Sequence, residues 1–477
     1  MSTIPQVSEA MRRVLEDYPR EIERETKFVQ RTTAKLDGAR FVQCLVFGWM
    51  ADPDASYTKL RHVAATQGTS VSNQAVEQRF SVASASLLKR VLQQAGCQLI
   101  CSQGNVPELL SRFAGVYVQD GSIVSLPEQL AERYAGCGGN TIHAGLSSLR
   151  IQVRWEVGQG AMQGPWLQAG RDAERSGEAV EIPMPEGSLF IGDTGYFSLA
   201  DMRKRGEKHF WLTPAKSSVC LYDARGIKST LETYLKSHQQ DSQVDEWVQL
   251  GADERLPVRL IAVRTSPQQA QKRRERACAT RYMPRGRKGV QRCGARRSTP
   301  TPVLKKKSKS RHKSMRSSAS KLRLADWTIL LSNVPDARLS VDEALVLMRL
   351  RWQEELLWKL WKQYGKIDTW RSEKAVRIET EIYAKLLALL IEHWMDLLGC
   401  WQDPRRSLRK AQQMSQWAAP VLSFALLGEM DLDRTITRIT GAMNKGCRID
   451  SRCSRFNTYQ LLESPSRIRS SHKLNSS

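Results

Sequence analysis

The sequence predicts an α/β protein in which a mixed β-sheet is flanked by helices. Short apolar or alternating runs, which are typical of strands, extend from about residue 115 to residue 213. The first 110 residues carry helical patterns instead, and two long helices are predicted at 340–364 and 372–399. A chain of 477 residues is long enough for two to three domains.

The N-terminal region, residues 1–110, is predicted to be helical. The expected helices lie at 22–34, 38–49, 72–79 and 84–94. Ser72 or Asn73 can cap the third of them. The last two helices are compatible with a helix-turn-helix that contacts DNA, and equally with an ordinary packing unit of a helical domain.

Five strands are predicted in the next region, with one helix, 196–205, before the last strand. They lie at 115–126, 149–157, 164–168, 189–193 and 209–213. Two aspartates lie at or near strand ends, Asp120 in VYVQDGSIVSL and Asp193 in SLFIGDTGYFS. A mixed sheet would bring these two carboxylates side by side at one edge. A third carboxylate from another element would then complete a site for a divalent metal ion.

Residues 217–324 interrupt the strand pattern. A hairpin is predicted at 247–265 and a helix at 267–276. From Lys272 to Arg323 there are twenty Lys and Arg against one acid, so this stretch contributes +19 of the net charge of +24. Such concentrated charge favours a polyanion, first of all nucleic acid, although a solvated linker would have the same composition. Few bulky apolar residues accompany it, so a membrane surface is not an expected partner.

The helix predicted at 340–364 combines a largely apolar circumference with one charged stripe. Leu and Trp residues cover most of it, which is not the pattern of a solvated helix, and Ser340 is the predicted N-cap. The stripe spans about 80° of a helical wheel and contains Met348, Arg351, Glu355, Lys359 and Lys362. By itself the stripe would indicate a ladder of i,i+4 ion pairs. With two aspartates upstream, Glu355 becomes the candidate third carboxylate.

The rest of the sequence predicts the C-terminal elements and the cellular compartment of the protein. A strand is predicted at 325–335, and shorter helices with a basic tail follow residue 400. The first thirty residues lack the apolar core of a secretory signal, and the ten cysteines lack the spacing of a zinc site. These patterns predict reduced thiols in a cytoplasmic protein.

Three acidic motifs occur in a fixed order along the chain. DGSIVSL at Asp120 matches a D-x-(S/T) stretch, and DTGYF at Asp193 matches D-x-G-(Y/F). Arg351, Glu355 and Lys362 keep the spacing of the signature Tyr-x2-Arg-x3-Glu-x6-Lys. In these motifs the chain resembles bacterial insertion-sequence transposases of the DDE class, in the cut-and-paste branch that carries this signature.

The resemblance covers about residues 115–398 and implies an RNase H-like mixed-sheet catalytic core with a largely β insertion, flanked by helical N- and C-terminal regions. The implied divisions are a DNA-binding domain at 1–110, the core at 111–216 and 325–400, the insertion with its basic stretch at 217–324, and a C-terminal helical region with a basic tail at 401–477. Met348 stands where the signature has Tyr, which removes a phenol that could hydrogen-bond a phosphate.

The resemblance also implies a chemistry. Asp120, Asp193 and Glu355 would be the catalytic residues and would hold two Mg²⁺ or Mn²⁺ ions. One ion activates water or a DNA 3′-hydroxyl, and the other stabilises the leaving oxygen. The implied reaction is nicking at each end of the element, a hairpin intermediate and its resolution, and joining of the 3′ ends to target DNA.

DNA contacts follow from the same resemblance. Arg351, Lys359 and Lys362 would hold phosphates beside the metal ions. Trp327 would stack on a flipped base, although a core tryptophan on a strand explains it equally well. Lys216 is a further phosphate candidate, or else a solvated lysine near a strand end.

The expected partners are DNA, as terminal inverted repeats and as target, and a second copy of the chain in a homodimeric synaptic complex on the bacterial nucleoid. Two other functions fit the same residues. A decayed relative would bind DNA without cutting it, and a metal-dependent nuclease on this core would hydrolyse DNA without joining it. Mg²⁺-dependent nicking excludes the first, and strand-transfer products exclude the second.

Overall fold

The computed structural model describes residues 4–31, 35–137, 145–282, 322–401, 403, 405–449 and 458–469. Within this part of the chain, ten strands form one mixed sheet and helices pack against it. The predicted α/β class is therefore confirmed.

The helices begin with a nearly continuous segment at the N-terminus, in which a π-helical turn, Arg13–Asp17, joins the first two. In chain order they are α1 (Ile4–Arg12), α2 (Tyr18–Ile22), α3 (Gly38–Ala51), α4 (Tyr57–Thr66), α5 (Asn73–Gln78), α6 (Val82–Gly96), α7 (Glu108–Ser111), α8 (Glu178–Glu181), α9 (Leu199–Gly206), α10 (Leu231–Ser237), α11 (Pro267–Tyr282), α12 (Val341–Gln363), α13 (Ala375–Gly399), α14 (Leu408–Leu426), α15 (Leu432–Gly446) and α16 (Thr458–Glu463).

The strands of the sheet are β1 (Val116–Ser125), β2 (Ser148–Glu156), β3 (Met162–Ala169), β4 (Leu189–Gly192), β5 (Phe210–Pro214), β6 (Cys220–Tyr222), β7 (Lys228–Thr230), β8 (Gln243–Leu250), β9 (Leu256–Arg264) and β10 (Trp327–Ser332). Their order across the sheet is β3-β2-β1-β4-β5-β10-β9-β8-β6-β7. Each of the first five predicted strands is present within one to two residues of the expected bounds.

The first half of the sheet has the strand arrangement of the RNase H-like core that the resemblance implies. β3, β2 and β1 form an antiparallel meander, and β4 and β5 then add parallel to β1. Every residue of β4 is buried, because this strand has a parallel neighbour on each side and packed elements on both faces.

The segment predicted as an insertion extends this same sheet. β9 pairs antiparallel with β10, and β8 and β6 follow on its far side. The predicted hairpin at 247–265 is confirmed as β8 and β9, and the predicted helix at 267–276 is the first part of α11. Most of the basic stretch, residues 283–321, lies outside the described residues.

The helix α12 begins at a capping box. The Ser340 hydroxyl accepts a hydrogen bond from the Glu343 N–H, and the Glu343 carboxylate accepts one from the Ser340 N–H. Ala344, Leu347 and Leu350 are buried against the sheet in one apolar cluster with Val118 and Ile191. The predicted N-cap is confirmed, and the cap fixes where α12 starts relative to β1 and β4.

The N-terminal helices and the C-terminal helices α13 to α15 share one hydrophobic core. α13 is buried on nearly all sides because α3, α6 and α15 pack around it. Its Arg377 is buried with them: the guanidinium carbon lies 3.8 Å from the Phe80 ring centroid and 4.5 Å from that of Tyr57. The N-terminal helices are thus part of the body that carries the sheet.

One predicted helix is wrong and one predicted helix pair is confirmed. The helix expected at 22–34 is replaced by turns at residues 23–27 and irregular chain to residue 31, because α2 ends at Ile22 and Lys27 has a left-handed φ of 58°. Residues 32–34 lie outside the described residues. The expected pair at 72–79 and 84–94 is present as α5 and α6, and Ser72 caps α5.

Among the helices of the described ranges, none combines the length and the apolar character that crossing a bilayer requires.

Arg259 connects the inserted hairpin to the start of α12. Its guanidinium donates two hydrogen bonds of 2.7 Å to Asp245 and one of 2.6 Å to the Leu339 carbonyl. The Arg259 side chain is 1% exposed and that of Asp245 is 25% exposed. This ion pair therefore joins β8, β9 and the residue before the α12 cap.

We expect Arg259→Met to lower the free energy of unfolding by about 2–3 kcal/mol, because it leaves Asp245 and a carbonyl oxygen without their donor; partial exposure of Asp245 keeps the loss below that of a fully buried pair. Urea denaturation followed by tryptophan fluorescence measures it. Arg274→Met is the matched control, since both partners of the Arg274–Asp326 pair are over one third exposed, and it should cost less than about 1 kcal/mol. Equal losses in the two variants would contradict the buried role of Arg259.

Candidate active site

Asp120 and Asp193 lie on neighbouring parallel strands. In the pairing of β1 with β4, Gln119 is opposite Gly192, so the next residues of the two strands are Asp120 and Asp193. Adjacent strands are about 4.8 Å apart, and the two backbones therefore place these carboxylates side by side, as the sequence predicts. Asp120 is still within β1, whereas Asp193 is the first residue after β4.

The backbone after β4 turns sharply around the Asp193 side chain. Asp193 is the N-cap of a 3₁₀ turn, Thr194–Tyr196, and its carboxylate accepts a hydrogen bond from the Gly195 N–H. A Cβ at position 195 would lie 2.0 Å from Oε2 of Glu174, so a side chain there would displace the Glu174 carboxylate. The Gly of the DTGYF motif therefore allows a further carboxylate, which is ion-paired with Arg150, to approach the aspartates.

Asp120 has an unusual acidity. Its pKa is raised to about 6, mainly by burial and also by the charges of Asp193 and Glu174. A hydrogen bond from the Gly121 N–H and the positive charge of Arg351 act in the opposite direction. Several carboxylates thus share a partly desolvated space with one nearby cation, which is a common feature of sites that bind metal ions.

The helix α12 brings two consecutive glutamates to this region, and they differ in environment. Glu354 is 0% exposed, and neither of its carboxylate oxygens has a hydrogen-bond partner. Burial raises its pKa well above the ordinary value, and the charges of Asp120 and Asp193 raise it further. Glu355, the predicted third carboxylate, is 47% exposed and lies 2.7 Å from the Arg351 guanidinium. The structure therefore brings Glu354 to the aspartates and leaves Glu355 beside it on the solvent side.

The chemistry of these donors fits a divalent cation, because carboxylate oxygens are the ligands that Mg²⁺ and Mn²⁺ prefer. A buried glutamate with two unpaired oxygens is also expected where a cation binds. With the side chains as they stand, the described residues contain no group of three His, Cys, Asp or Glu that could hold a metal ion. Side-chain rotation at Glu354 or Glu355 would have to complete the site.

Comparison with known proteins finds similarity to transposases. Residues 171–391 match the family described as the transposase DDE domain, a range that includes Asp193 and α12 but not Asp120. The chain is 27% identical over 400 residues to the transposase for insertion sequence element IS231F of Bacillus thuringiensis subsp. israelensis, covering 81% of this chain and 79% of that protein. It is 23% identical over 403 residues to the transposase for IS1151 of Clostridium perfringens, covering 78% and 76%. The chain is thus similar to the DDE transposases of bacterial insertion sequences.

One solved structure also aligns with the chain. It is that of the piggyBac transposase synaptic complex with hairpin DNA, with a TM-score of 0.43 and 9% sequence identity, covering 96% of this chain and 87% of that chain.

The basic residues predicted to hold phosphates lie along α12 in different settings. Arg351 is ion-paired with Glu355, and Lys359 is exposed. Lys362 is partly buried, and its Nζ donates a hydrogen bond of 2.9 Å to the carbonyl of Ile123 on β1. This bond places Lys362 on the strand that carries Asp120, and burial lowers the pKa of its ammonium. The phosphate contacts of these residues stay predictions.

The other two predicted DNA contacts are occupied within the protein. Trp327 is 6% exposed at the start of β10, and the Arg264 guanidinium lies 4.0 Å from its ring centroid. A base could stack on Trp327 only after Arg264 moved away. Lys216 donates a hydrogen bond of 3.1 Å to the carbonyl of Phe197. Both residues have structural partners in the absence of DNA.

Met348, at the Tyr position of the signature, is half-buried and packs against the apolar cluster between α12 and the sheet. Its side chain therefore has a packing role that needs no DNA.

Two acidic residues near the aspartates were not predicted as site residues. Glu354 is adjacent to the signature glutamate, and its signal is an acid next to buried apolar positions of the helix. Glu174 lies in the connection between β3 and α8, where nothing in the sequence distinguishes it from other surface acids. The fold brings it close to Gly195, and so to Asp193.

The raised pKa of Asp120 predicts a pH dependence of stability in the metal-free protein. The folded chain binds the Asp120 proton up to about pH 6, whereas the unfolded chain loses it near the ordinary value of 3.8. The stabilisation is therefore present below pH 3.8 and is lost as the pH rises to about 6. We expect the unsubstituted protein to lose stability relative to Asp120→Asn across this interval, as measured by urea denaturation in EDTA.

Asp253→Asn is the control for this measurement, because Asp253 is an exposed carboxyl in the turn between β8 and β9. Its stability should follow that of the unsubstituted protein at every pH. If the free energy of unfolding changed with pH in the same way for Asp120→Asn and for the unsubstituted protein, the raised pKa of Asp120 would be refuted.

Proposed function

We propose that this transposase cuts DNA at the ends of its insertion sequence by metal-dependent phosphoryl transfer and joins the 3′ ends to target DNA. The observation that carries the proposal is the register of β1 with β4, which brings Asp120 next to Asp193 beneath α12, the helix that carries Glu354 and Glu355. Paired carboxylates on neighbouring strands suit a reaction in which cations, and no protein nucleophile, activate the attacking oxygen.

Asp120, Asp193 and Glu355 are the residues proposed to hold two Mg²⁺ or Mn²⁺ ions. Bound there, the ions would supply an activated water or 3′-hydroxyl and would neutralise charge on the leaving oxygen. The Arg351–Glu355 ion pair keeps Glu355 oriented along α12 until a cation or a phosphate competes for one of its partners.

The basic residues of α12 would orient the DNA backbone. Arg351, Lys359 and Lys362 follow one another at helical spacing, and the Lys362 bond to Ile123 keeps this row beside β1. A scissile phosphate held by such a row would be fixed relative to both aspartates. Lys216 and Trp327 would join these contacts only by exchanging their present partners for DNA.

The remaining parts of the proposal concern the order of events and the assembly. The transposase would nick each end, pass through a hairpin, and transfer the 3′ ends, acting on nucleoid DNA. Residues 1–110 would bind the terminal inverted repeats, and 111–216 with 325–400 would form the catalytic core. Residues 217–324 would form the insertion. Residues 401–477 would form the C-terminal region. Two ends must be held together, so a homodimer is the expected synaptic unit.

Asp193→Asn tests the catalytic proposal. It keeps the size of the side chain but removes its charge, so we expect Mg²⁺-dependent nicking of a DNA fragment carrying the element end to fall by about 10³-fold or more. Binding of the same fragment without metal should be retained. Asp253→Asn, an exposed carboxyl far from the motif in sequence, is the control and should nick DNA at the normal rate.

Each outcome of this assay separates the possible functions. Full nicking activity in Asp193→Asn would refute the proposed site. DNA binding without nicking by the unsubstituted protein would indicate a protein that only binds DNA. Nicking without strand-transfer products would indicate a nuclease.

Lys359→Ala tests the phosphate contacts of α12. Lys359 is exposed, so its loss should leave stability unchanged while it weakens DNA binding at all sequences alike. The slope of log K against log [salt] should decrease by about 1, which is the contribution of one phosphate contact. Filter binding at several salt concentrations measures this slope. Lys236→Ala, at an exposed position of α10, is the control, and equal slopes in both variants would exclude a contact at Lys359.

A further inference from the structure

We propose that Glu354 is an additional cation ligand of this site, so that four carboxylates surround the metal ions: Asp120, Asp193, Glu354 and Glu355. The inference rests on the proposed function and concerns a residue outside the predicted signature. It assigns Glu354 a role in binding the cations, whatever the later steps on DNA.

Glu354 is buried without a hydrogen-bond partner for its carboxylate. Its side chain is 0% exposed, and both carboxylate oxygens lack a hydrogen-bond partner. A carboxylate removed from water without a partner is among the most unfavourable groups in a protein interior. It is retained where a cation supplies the missing interaction, as in metal sites.

Glu354 lies on the buried, apolar side of α12. Its neighbours on the same side of the helix are Leu350, Leu357 and Trp358, all of which are buried. α12 packs against β1 and β4, the two strands that position Asp120 and Asp193. An apolar residue would suit packing at this place better than an acid, so a purely structural role does not account for Glu354.

The basic side chains near Glu354 have partners other than its carboxylate. The Arg351 guanidinium is 2.7 Å from Glu355, and the Lys362 ammonium binds the carbonyl of Ile123. Glu174, the remaining acid near the aspartates, is ion-paired with Arg150. Among the described residues, Glu354 is thus the buried acid of this group that has no ion pair or hydrogen bond.

The charge of two divalent cations also favours a fourth carboxylate in the site. Two divalent cations bring four positive charges, and three carboxylates compensate three of them. A fourth carboxylate, provided by Glu354, balances the charge of the site before DNA arrives, whereas a site of three carboxylates would leave one positive charge uncompensated.

Mn²⁺ binding to the full-length protein without DNA tests the inference. We expect Glu354→Gln to weaken Mn²⁺ binding, measured by the electron paramagnetic resonance signal of the free ion, by about tenfold or more. The rise in melting temperature that Mn²⁺ gives to the unsubstituted protein should be lost as well. In EDTA, the variant should be at least as stable as the unsubstituted protein, because a neutral amide replaces an unpaired buried carboxylate. Glu354→Leu, which fills the same space with apolar atoms, should behave in the same way.

Glu373→Gln, at an exposed position after α12, is the matched control and should bind Mn²⁺ normally. Mn²⁺ affinity within twofold of the unsubstituted protein in both Glu354 variants would overturn the inference. If Asp120→Asn and Asp193→Asn lose binding in that case, the proposed function stands without Glu354. If those two variants bind Mn²⁺ normally, the proposed function fails and the inference fails with it.

Discussion

The register between two parallel strands is the constraint on which the site depends. Gln119 opposite Gly192 makes Asp120 and Asp193 neighbours, although they are far apart in the sequence. A shift of one residue in this pairing would turn one of the two side chains to the opposite face of the sheet. The register is fixed by burial, because the apolar residues of β1 and β4 pack into the cluster beneath α12. The packing that stabilises the core therefore also aligns the carboxylates.

α12 completes this arrangement from the other side of the same cluster. Its start is set by the Ser340 capping box and by Arg259, which binds the Leu339 carbonyl from the inserted hairpin. Its far end is held by Lys362 on β1. With both ends fixed, the rotation of α12 about its axis decides which glutamate meets the aspartates. Glu354 and Glu355 are about 100° apart, so one is buried while the other remains in contact with solvent.

The sequence was sufficient for much of the fold and for part of the site. Continuous apolar runs identified β4, alternation identified β2, and Ser340 marked the start of α12, since these patterns reflect local burial and capping. The environment of Glu354 could not be derived in this way. Leu and Trp surround most of α12, and a helix that is apolar on most sides does not reveal its rotation. The failure at residues 22–34 has a similar origin, because the left-handed turn at Lys27 is set by tertiary packing and not by a Gly or Pro.

The shared core of the N-terminal helices and α13 limits how this protein can be divided or recombined. Ser84 of α6 lies 3.4 Å from Thr380 of α13, and Gln67 donates a hydrogen bond of 2.9 Å to Ser423 of α14. A fragment that starts at the sheet would expose the apolar side of α13 to water. Exchange of the first hundred residues between relatives would succeed only if the facing residues of α13 and α14 were exchanged with them. The packing thus ties α6 to α13 and Gln67 to α14, even though these residues are separated by hundreds of positions.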